Sequence, residues 1–390
     1  MDDTSEKSLA LHAKLGGKIY TGLKKKIRNA DDLSLLYTPG VAAPCIVIGK
    51  DKALARKLTI NGKFVAVISD GSAILGIGDK GPEAALPVME GKCMLFKQLG
   101  GVDAFPLCID AHDVEDIIRF VKQIAPTFAA INLEDISAPR CFEIERRLRA
   151  ELDIPVMHDD QWGTATIVLA GLINAMHLRG IDKEEADVVV NGAGAAGLAT
   201  TRLLLAYGFK NIVVVDTKGA IWQGRSDLLI PDEKNREKRL IAEETNRFYE
   251  RGGLSDVIVS TDIFIGVSAP NILTAPMVRS MNKDPIIFAL ANPVSEIAPD
   301  LARAAGAFIV ATGSSKFPNQ TNNCLVFPGV FRGLLEHGVT KITEEMLIRV
   351  AEAIAGRIKH PTVDEILPVA LDEKVPKAIA KAIGKYQRGK

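Results

Sequence analysis

The sequence predicts an α/β protein in two units: an N-terminal α/β unit over residues 1–160, and a doubly wound parallel sheet with C-terminal helices over residues 161–390. Three observations carry that prediction. Apolar, strand-like runs alternate with amphipathic helical stretches, the pattern of parallel strands joined by crossover helices. One such strand, Asp187–Asn191, runs directly into a glycine-rich turn. Two others lead into paired carboxylates, Glu134-Asp135 and Asp159-Asp160.

Composition narrows the classes. At 390 residues the chain can bury two or three sizeable cores. Its 48 basic and 48 acidic residues cancel, against a nucleic-acid or acidic-membrane partner, which calls for excess positive charge. The acidic start, Met1 to Glu6, is no secretory signal. No apolar run is long enough to span a bilayer. Five scattered cysteines without a CxxC pair read as reduced thiols of a cytoplasmic protein, not as a zinc site.

The elements follow in chain order. Lys7 to Ile27 reads as a basic, amphipathic helical arm. Leu35 to Cys45 contains Pro39, Gly40 and Pro44, and reads as an irregular loop carrying Tyr37. By residue type alone, Tyr37 is a packed ring with a solvated hydroxyl. Phe64 to Ser69 is an apolar strand ending at Asp70-Gly71. Gly76, Gly78 and Gly81 then match G-x-G-x-x-G, but the next strand, Ala104 to Ile109, reaches its acidic residue, Asp110, too late for a nucleotide site, which needs it roughly 20 residues on. This turn belongs on the substrate side. Gly81-Pro82-Glu83 opens a helix with Leu86, Met89, Cys93 and Phe96 on one stripe. Lys92 lies beside that stripe, where most lysines are solvated.

Phe128 to Leu133 and Ile154 to Met157 are strands flanking a charged helix, Arg140 to Glu151. A strand-helix-strand unit makes the strands parallel, so their C-terminal ends share an edge and the two acidic pairs converge. Gly163 to Arg179 reads as a buried helix stopped by Gly180. Then strand Asp187–Asn191, the turn Gly192-Ala193-Gly194-Ala195-Ala196-Gly197, helix Leu198–Tyr207, strand Asn211–Val215 and a terminal Asp216 fall in order. This is the full context of a Rossmann-type NAD(P)-binding unit. Glycines admit the pyrophosphate to the backbone, the helix N-terminus faces its charge, and Asp216 can accept from an adenosine ribose. Further strands are expected at Asp256–Val259, Ile263–Val267, Pro285–Ala289 and Phe308–Ala311, making 187–330 one doubly wound sheet. Thr343 starts a helix through Ile358, and the basic helical tail either folds back or reaches a second subunit.

Carboxylates gathered at one sheet edge raise one another's pKa unless a cation sits among them. An oxygen-only set suits a hard divalent ion, Mg²⁺ or Mn²⁺. A metal beside a nicotinamide points to a hydroxy acid held through its hydroxyl and carboxylate. His158, alone at a strand end, reads as structural.

Seven blocks together resemble malic enzyme: Tyr37-Thr38-Pro39-Gly40-Val41, Ile74 to Asp79, Gly91-Lys92-Cys93, Leu133 to Ile136, His158 to Thr164, Ala289 to Pro293, and Asn322-Asn323 with Phe327-Pro328-Gly329. They stand in family order, and the length resembles the short microbial form. The resemblance implies an N-terminal substrate and metal domain, an NAD(P)-binding domain, and oxidative decarboxylation of L-malate to pyruvate and CO₂ with NAD or NADP. By resemblance Glu134, Asp135 and Asp160 match the metal ligands, Lys92 the general base, Tyr37 the acid that protonates C3, and Asp159 the support of the lysine. Asn292 and Asn323 match polar contacts to malate, with Asn322 beside them; Asn292 also borders the nucleotide held by Gly192, Gly194, Ala195, Ala196, Gly197 and Asp216. The resemblance further implies a homodimer or homotetramer, with Tyr37 able to serve the partner's site.

The sequence departs from the family at one place. Larger members carry an arginine after the Asp-Gly turn that clamps a malate carboxylate; here the turn reads Asp70-Gly71-Ser72-Ala73-Ile74. Ser72, backbone N–H groups and the asparagines are left to hold that carboxylate. Asp216 favours NAD by repelling a 2′-phosphate, and Lys218 offsets that repulsion. Competing readings are a malolactic-type enzyme releasing lactate, a cofactor-independent oxaloacetate decarboxylase, and a non-catalytic nucleotide sensor.

Overall fold

A computed structural model describes residues 3–74 and 76–389; Met1, Asp2, Lys390 and Leu75, one residue of the Ile74–Asp79 block, lie outside it. Four helices come first, α1 (Asp3–Leu15), α2 (Ala30–Leu36), α3 (Ala42–Lys50) and α4 (Ala55–Leu58). None of them buries a residue against its own chain. The arm expected over Lys7–Ile27 is therefore α1 alone. It stops at Gly16 and Gly17, whose φ angles of 61° and 124° suit residues without a Cβ. The irregular stretch expected through Cys45 is also shorter. The helix α3 begins at Ala42 and takes Pro44 in its first turn, where the missing N–H costs nothing.

The first sheet is built from β1 (Phe64–Ser69), α5 (Pro82–Leu95), β2 (Asp103–Cys108), α6 (Val114–Ile124), β3 (Ala130–Leu133), α7 (Arg140–Glu151) and β4 (Val156–His158). Its order is β2-β1-β3-β4 and every pairing is parallel. Leu133 pairs with His158, so the two acidic pairs do leave neighbouring strands at one edge. Of the stripe expected on α5, Met89, Cys93 and Phe96 are buried, but Leu86 faces out. The helix α6 was not anticipated; its start is set by Asp113, whose carboxylate accepts from Asp116 N–H at 2.8 Å.

The helix α8 (Asp159–Arg179) starts on the acidic pair itself, four residues before the expected Gly163. It is apolar on nearly every side and buried along most of its length, as a helix between two layers must be. The second sheet follows as β5 (Asp187–Asn191), α9 (Ala195–Tyr207), β6 (Asn211–Asp216), β7 (Gly219–Ala220), α10 (Arg236–Glu244), α11 (Leu254–Val257), β8 (Ile263–Gly266), α12 (Ala275–Ser280), β9 (Ile286–Ala289), α13 (Pro299–Ala304) and β10 (Ile309–Thr312). Its order is β10-β9-β8-β5-β6-β7, parallel except for the short return strand β7. The strand expected at Asp256–Val259 is instead the helical turn α11. Asp256 accepts from Gly253 N–H at 2.7 Å and winds the chain, while Val257 and Ile258 still bury their side chains.

Three helices close the chain: α14 (Phe327–His337), α15 (Glu344–Ala355) and α16 (Lys374–Arg388). The basic tail folds back on its own chain, α16 packing on α14 and α15, with Thr343 Oγ1 2.8 Å from the Tyr386 hydroxyl. The two sheets share core contacts. Phe96, at the end of α5, meets Phe327 and Phe331 of α14 edge-on, with ring centroids 4.7 and 5.2 Å apart.

Candidate active site

The site forms where the first sheet's acidic edge meets the start of α8 and the beginning of α14. Lys92 is not solvated; it is buried from the last turns of α5 into this edge. Its Nζ donates to Asp159 Oδ2 at 2.5 Å, lies 2.8 Å from Glu134 Oε1, and stands 4.4 Å over the Phe327 ring. Burial works to lower the lysine's pKa, but Asp159, Glu134 and Asp160 together outweigh it, and the ammonium is held above its ordinary range. The same burial pushes the carboxyls up, Glu134 and Asp159 to about 7 and Asp160 to about 6, although Lys92 pulls each of them down.

Glu134, Asp135 and Asp160 bring one carboxylate oxygen each within 4.8 Å of one another. Asp135 takes a left-handed φ of 52° as the chain leaves β3, and its N–H donates to Asp160 Oδ2 at 2.8 Å. Asn132 Nδ2 supports Glu134 Oε2 at 3.0 Å. Four carboxylates, Asp159 included, with one ammonium leave an excess of negative charge in a buried place, and an all-oxygen donor set fits a hard divalent cation. His158 is fully buried, and burial lowers its pKa to about 4, so it stands neutral, 3.3 Å from Asp160 Oδ2.

Gly163 was read only as a helix entry, yet it makes the lysine's partner possible. A Cβ there would fall 1.9 Å from Asp159 Oδ1 and 3.1 Å from the Asn323 Cβ. Asn323 thus lies against the acidic turn. Asn322 turns its Oδ1 to its own loop, accepting from Cys324 N–H at 2.9 Å. Ser72 is spent: its hydroxyl donates to Asp70 Oδ1 at 2.6 Å and accepts from Ser137 N–H at 2.9 Å. These bonds brace the Asp-Gly turn, so Ser72 has no free hydroxyl for a substrate carboxylate. Arg140, the first residue of the charged helix α7, completes the brace with 2.8 Å to Asp70 Oδ2. Asn292 is exposed in a cis Asn292-Pro293 turn after β9, and its carbonyl oxygen would be 2.2 Å from a Cβ on Gly76. The first glycine turn therefore rests on the second domain's loop.

Tyr37 caps the C-terminus of α2 and is 64 % exposed.

The second glycine turn sits where the sheet order switches, between β5 and β8. Gly192 (φ 121°) would place a Cβ 2.6 Å from Val267 O, and Gly197 would place one 1.7 Å from Gly192 O. At Gly194, by contrast, a Cβ would meet nothing within 4 Å. Gly194 is the N-cap of α9 and carries no side-chain cap, so the N–H groups of Ala195 and Ala196 start a helix that faces an open, half-buried cradle. A dinucleotide pyrophosphate fits that cradle. Asp216 is not the free acceptor its position suggested. Arg225 grips both of its oxygens, at 2.9 and 2.8 Å, and Lys238 adds a contact at 2.7 Å. Burial alone would raise its pKa; these donors hold it down to about 2. Lys218 Nζ goes to Asp227 at 3.1 Å, so Arg225 and Lys238, not the Lys218 side chain, offset the Asp216 charge. Nothing in the local sequence marks Arg225 for that role.

Known proteins share this architecture. The sequence models for "Malic enzyme, N-terminal domain" and "Malic enzyme, NAD binding domain" match residues 16–149 and 162–387. The chain is 51 % identical over 382 residues to the bifunctional malic/malolactic enzyme of Bacillus subtilis, covering 97 % of this chain and 92 % of that one. It is 50 % identical over 383 residues to the NAD-dependent malic enzyme of Geobacillus stearothermophilus, covering 98 % and 78 %. Among solved structures, the NAD-dependent malic enzyme of Thermotoga maritima superimposes with a TM-score of 0.92 at 46 % identity, covering 97 % of this chain and 98 % of that one.

Proposed function

The chain belongs to the malic enzyme family, and from that premise we propose that it oxidatively decarboxylates L-malate to pyruvate and CO₂ with NAD or NADP as hydride acceptor. The observation that carries the reading is Lys92, buried between Asp159 and Glu134 beside a three-carboxylate cluster. Glu134, Asp135 and Asp160 would hold Mg²⁺ or Mn²⁺. A hard divalent cation on these oxygens supplies Lewis acidity to the substrate and withdraws from Lys92 part of the negative field that keeps its ammonium charged.

Lys92 then accepts the C2 hydroxyl proton as hydride leaves C2 for the nicotinamide. Asp159 keeps the lysine aimed and receives its hydrogen bond in the charged form. Phe327 closes one side of the lysine against water, which sharpens each electrostatic contact. Loss of CO₂ leaves the enolate of pyruvate, and Tyr37 gives its proton to C3. Asn292 and Asn323 are the polar contacts proposed for the substrate carboxylates, and the Gly192–Gly197 turn seats the pyrophosphate.

Tyr37 reaches a site through a second copy of the chain in this reading. Its exposure, and the absence of any buried residue on α1 to α4, favour a homodimer or homotetramer with shared sites. Mixing Tyr37→Phe with Lys92→Ala protein then restores part of the activity; no recovery means each chain is self-contained. Among the described residues no helix is long and apolar enough to cross a membrane. Balanced charge and five free cysteines favour action in the cytoplasm without a nucleic-acid or membrane partner.

Turnover of malate with Mn²⁺ and each nucleotide in turn tests the reading, with EDTA as the control. Full activity in EDTA removes the metal site from it. The name of the Bacillus subtilis relative favours a second reading, release of lactate from the same site. Pyruvate and free NAD(P)H in equal amounts support the first; lactate without free NAD(P)H supports the second.

A further inference from the structure

A carboxylate outside the cluster grips the acidic turn from behind. Glu145, on the inner face of α7, is 4 % exposed. Its Oε1 accepts from His158 N–H at 3.0 Å, and its Oε2 accepts from Gln161 Nε2 and Trp162 Nε1, each at 3.0 Å. Arg149 Nη1 approaches Oε1 at 3.9 Å across the wall of a cavity of about 180 Å³. The three donors come from residues 158, 161 and 162, and so bracket Asp159 and Asp160 on both sides.

Only an ionised carboxylate meets this demand. It accepts on both oxygens, whereas a glutamine of the same shape offers one acceptor and turns an N–H₂ toward another donor. Bonds to an ionised acceptor are also the stronger kind. The start of α8 otherwise lacks a side-chain cap at His158, so Glu145 joins the Asp159–Lys92 bond and the Asp160 bond to Asp135 N–H in setting the rotation of its first turn. That rotation decides whether Asp160 faces Asp135 while Asp159 faces Lys92.

We propose that Glu145 is a positioning residue for the metal site: it fixes the first turn of α8 so that Asp160 closes the set with Glu134 and Asp135. The inference rests on the metal reading above. Groups that orient ligands in this way typically change metal affinity 10- to 100-fold when removed.

The test is Mn²⁺ binding to the full-length protein, read from the free-ion electron paramagnetic resonance signal well below each variant's melting temperature. Glu145→Gln raises the Mn²⁺ dissociation constant about 10-fold, while Glu143→Gln on the same helix leaves it unchanged. A folded Glu145→Gln protein with wild-type affinity overturns the proposal, since a purely structural role lowers melting temperature without weakening the folded site. If Glu145→Gln does not fold, the double variant Gln161→Leu, Trp162→Phe keeps the carboxylate and removes two of its donors. It weakens binding several-fold, and unchanged affinity there overturns the proposal equally. A wild-type protein that binds no Mn²⁺ defeats the underlying metal reading instead, a distinguishable result.

Discussion

Two alanine substitutions in one glycine turn should fail in opposite ways. At Gly197 an added Cβ lies 1.7 Å from Gly192 O and 3.2 Å from Val267 Cγ2. The first contact is to backbone, so no rotamer relieves it. Either α9 or the end of β5 must move by more than 1 Å (a rough figure, from ordinary C···O contact distances). Overpacking of a well-filled interior costs about 1–3 kcal/mol, and a backbone clash belongs at the upper end. About 3 kcal/mol lost from a domain of this size lowers Tm by roughly 6–12 °C. At Gly194 nothing lies within 4 Å, and its φ of −95° suits alanine. Gly194→Ala should therefore stay within about 0.5 kcal/mol of wild type. Its methyl instead occupies space that the pyrophosphate needs at the start of α9, weakening NADH binding at least about 10-fold, or 1.4 kcal/mol. Thermal melts and NADH fluorescence titrations read the two effects separately. A Gly197→Ala protein with wild-type Tm, or a Gly194→Ala protein with wild-type NADH affinity, refutes this account of the turn.

Other outcomes follow from the same geometry. Lys92→Ala removes the base and leaves Asp159 and Glu134 buried without their ammonium; malate oxidation and proton exchange into pyruvate both fall at least about 100-fold, and near-wild-type turnover in either assay sinks the assignment. Tyr37→Phe spares oxaloacetate reduction more than pyruvate protonation, and equal losses count against its acid role. Arg225→Met strips Asp216 of its two-oxygen partner while Lys238 remains. Breaking one side of such a buried pair costs on the order of 3 kcal/mol, visible as a lower Tm, and an unchanged melt means the pair is not holding the β6 end.

Much of this molecule was legible in its residues, because the governing effects are local. Apolar runs of strand length, Pro82 at a helix start and Gly180 at a helix end declare themselves within a few neighbours. The Gly192–Gly197 turn follows a strand and precedes a helix, and needs no distant partner to be read. Convergence of Glu134-Asp135 with Asp159-Asp160 came from the handedness and parallelism of one strand-helix-strand unit, and the register of β3 with β4 bears it out. Where local signals were weak or mixed, the reading slipped. Asp256–Val259 is apolar enough for a strand, yet a glycine-to-aspartate bond winds it into a turn. Gly16-Gly17 stops an arm that charge pattern alone would prolong.

The acidic turn at 158–164 shows where the division falls. By itself the sequence determined that two carboxylates stand at the junction of two α/β units, on an edge shared with a second pair. Only the tertiary structure shows what each one touches. Asp159 reaches a lysine 67 residues away, and Asp160 takes the N–H of Asp135. Gly163 leaves the room for Asp159, and Glu145 holds the turn from a neighbouring helix. The fates of Ser72, used up in its own loop, and of Asp216, neutralised by Arg225, were hidden in the same way. Hydrogen-bond partners and burial are set by which distant side chains fill one small volume, and no spacing along the chain encodes that volume.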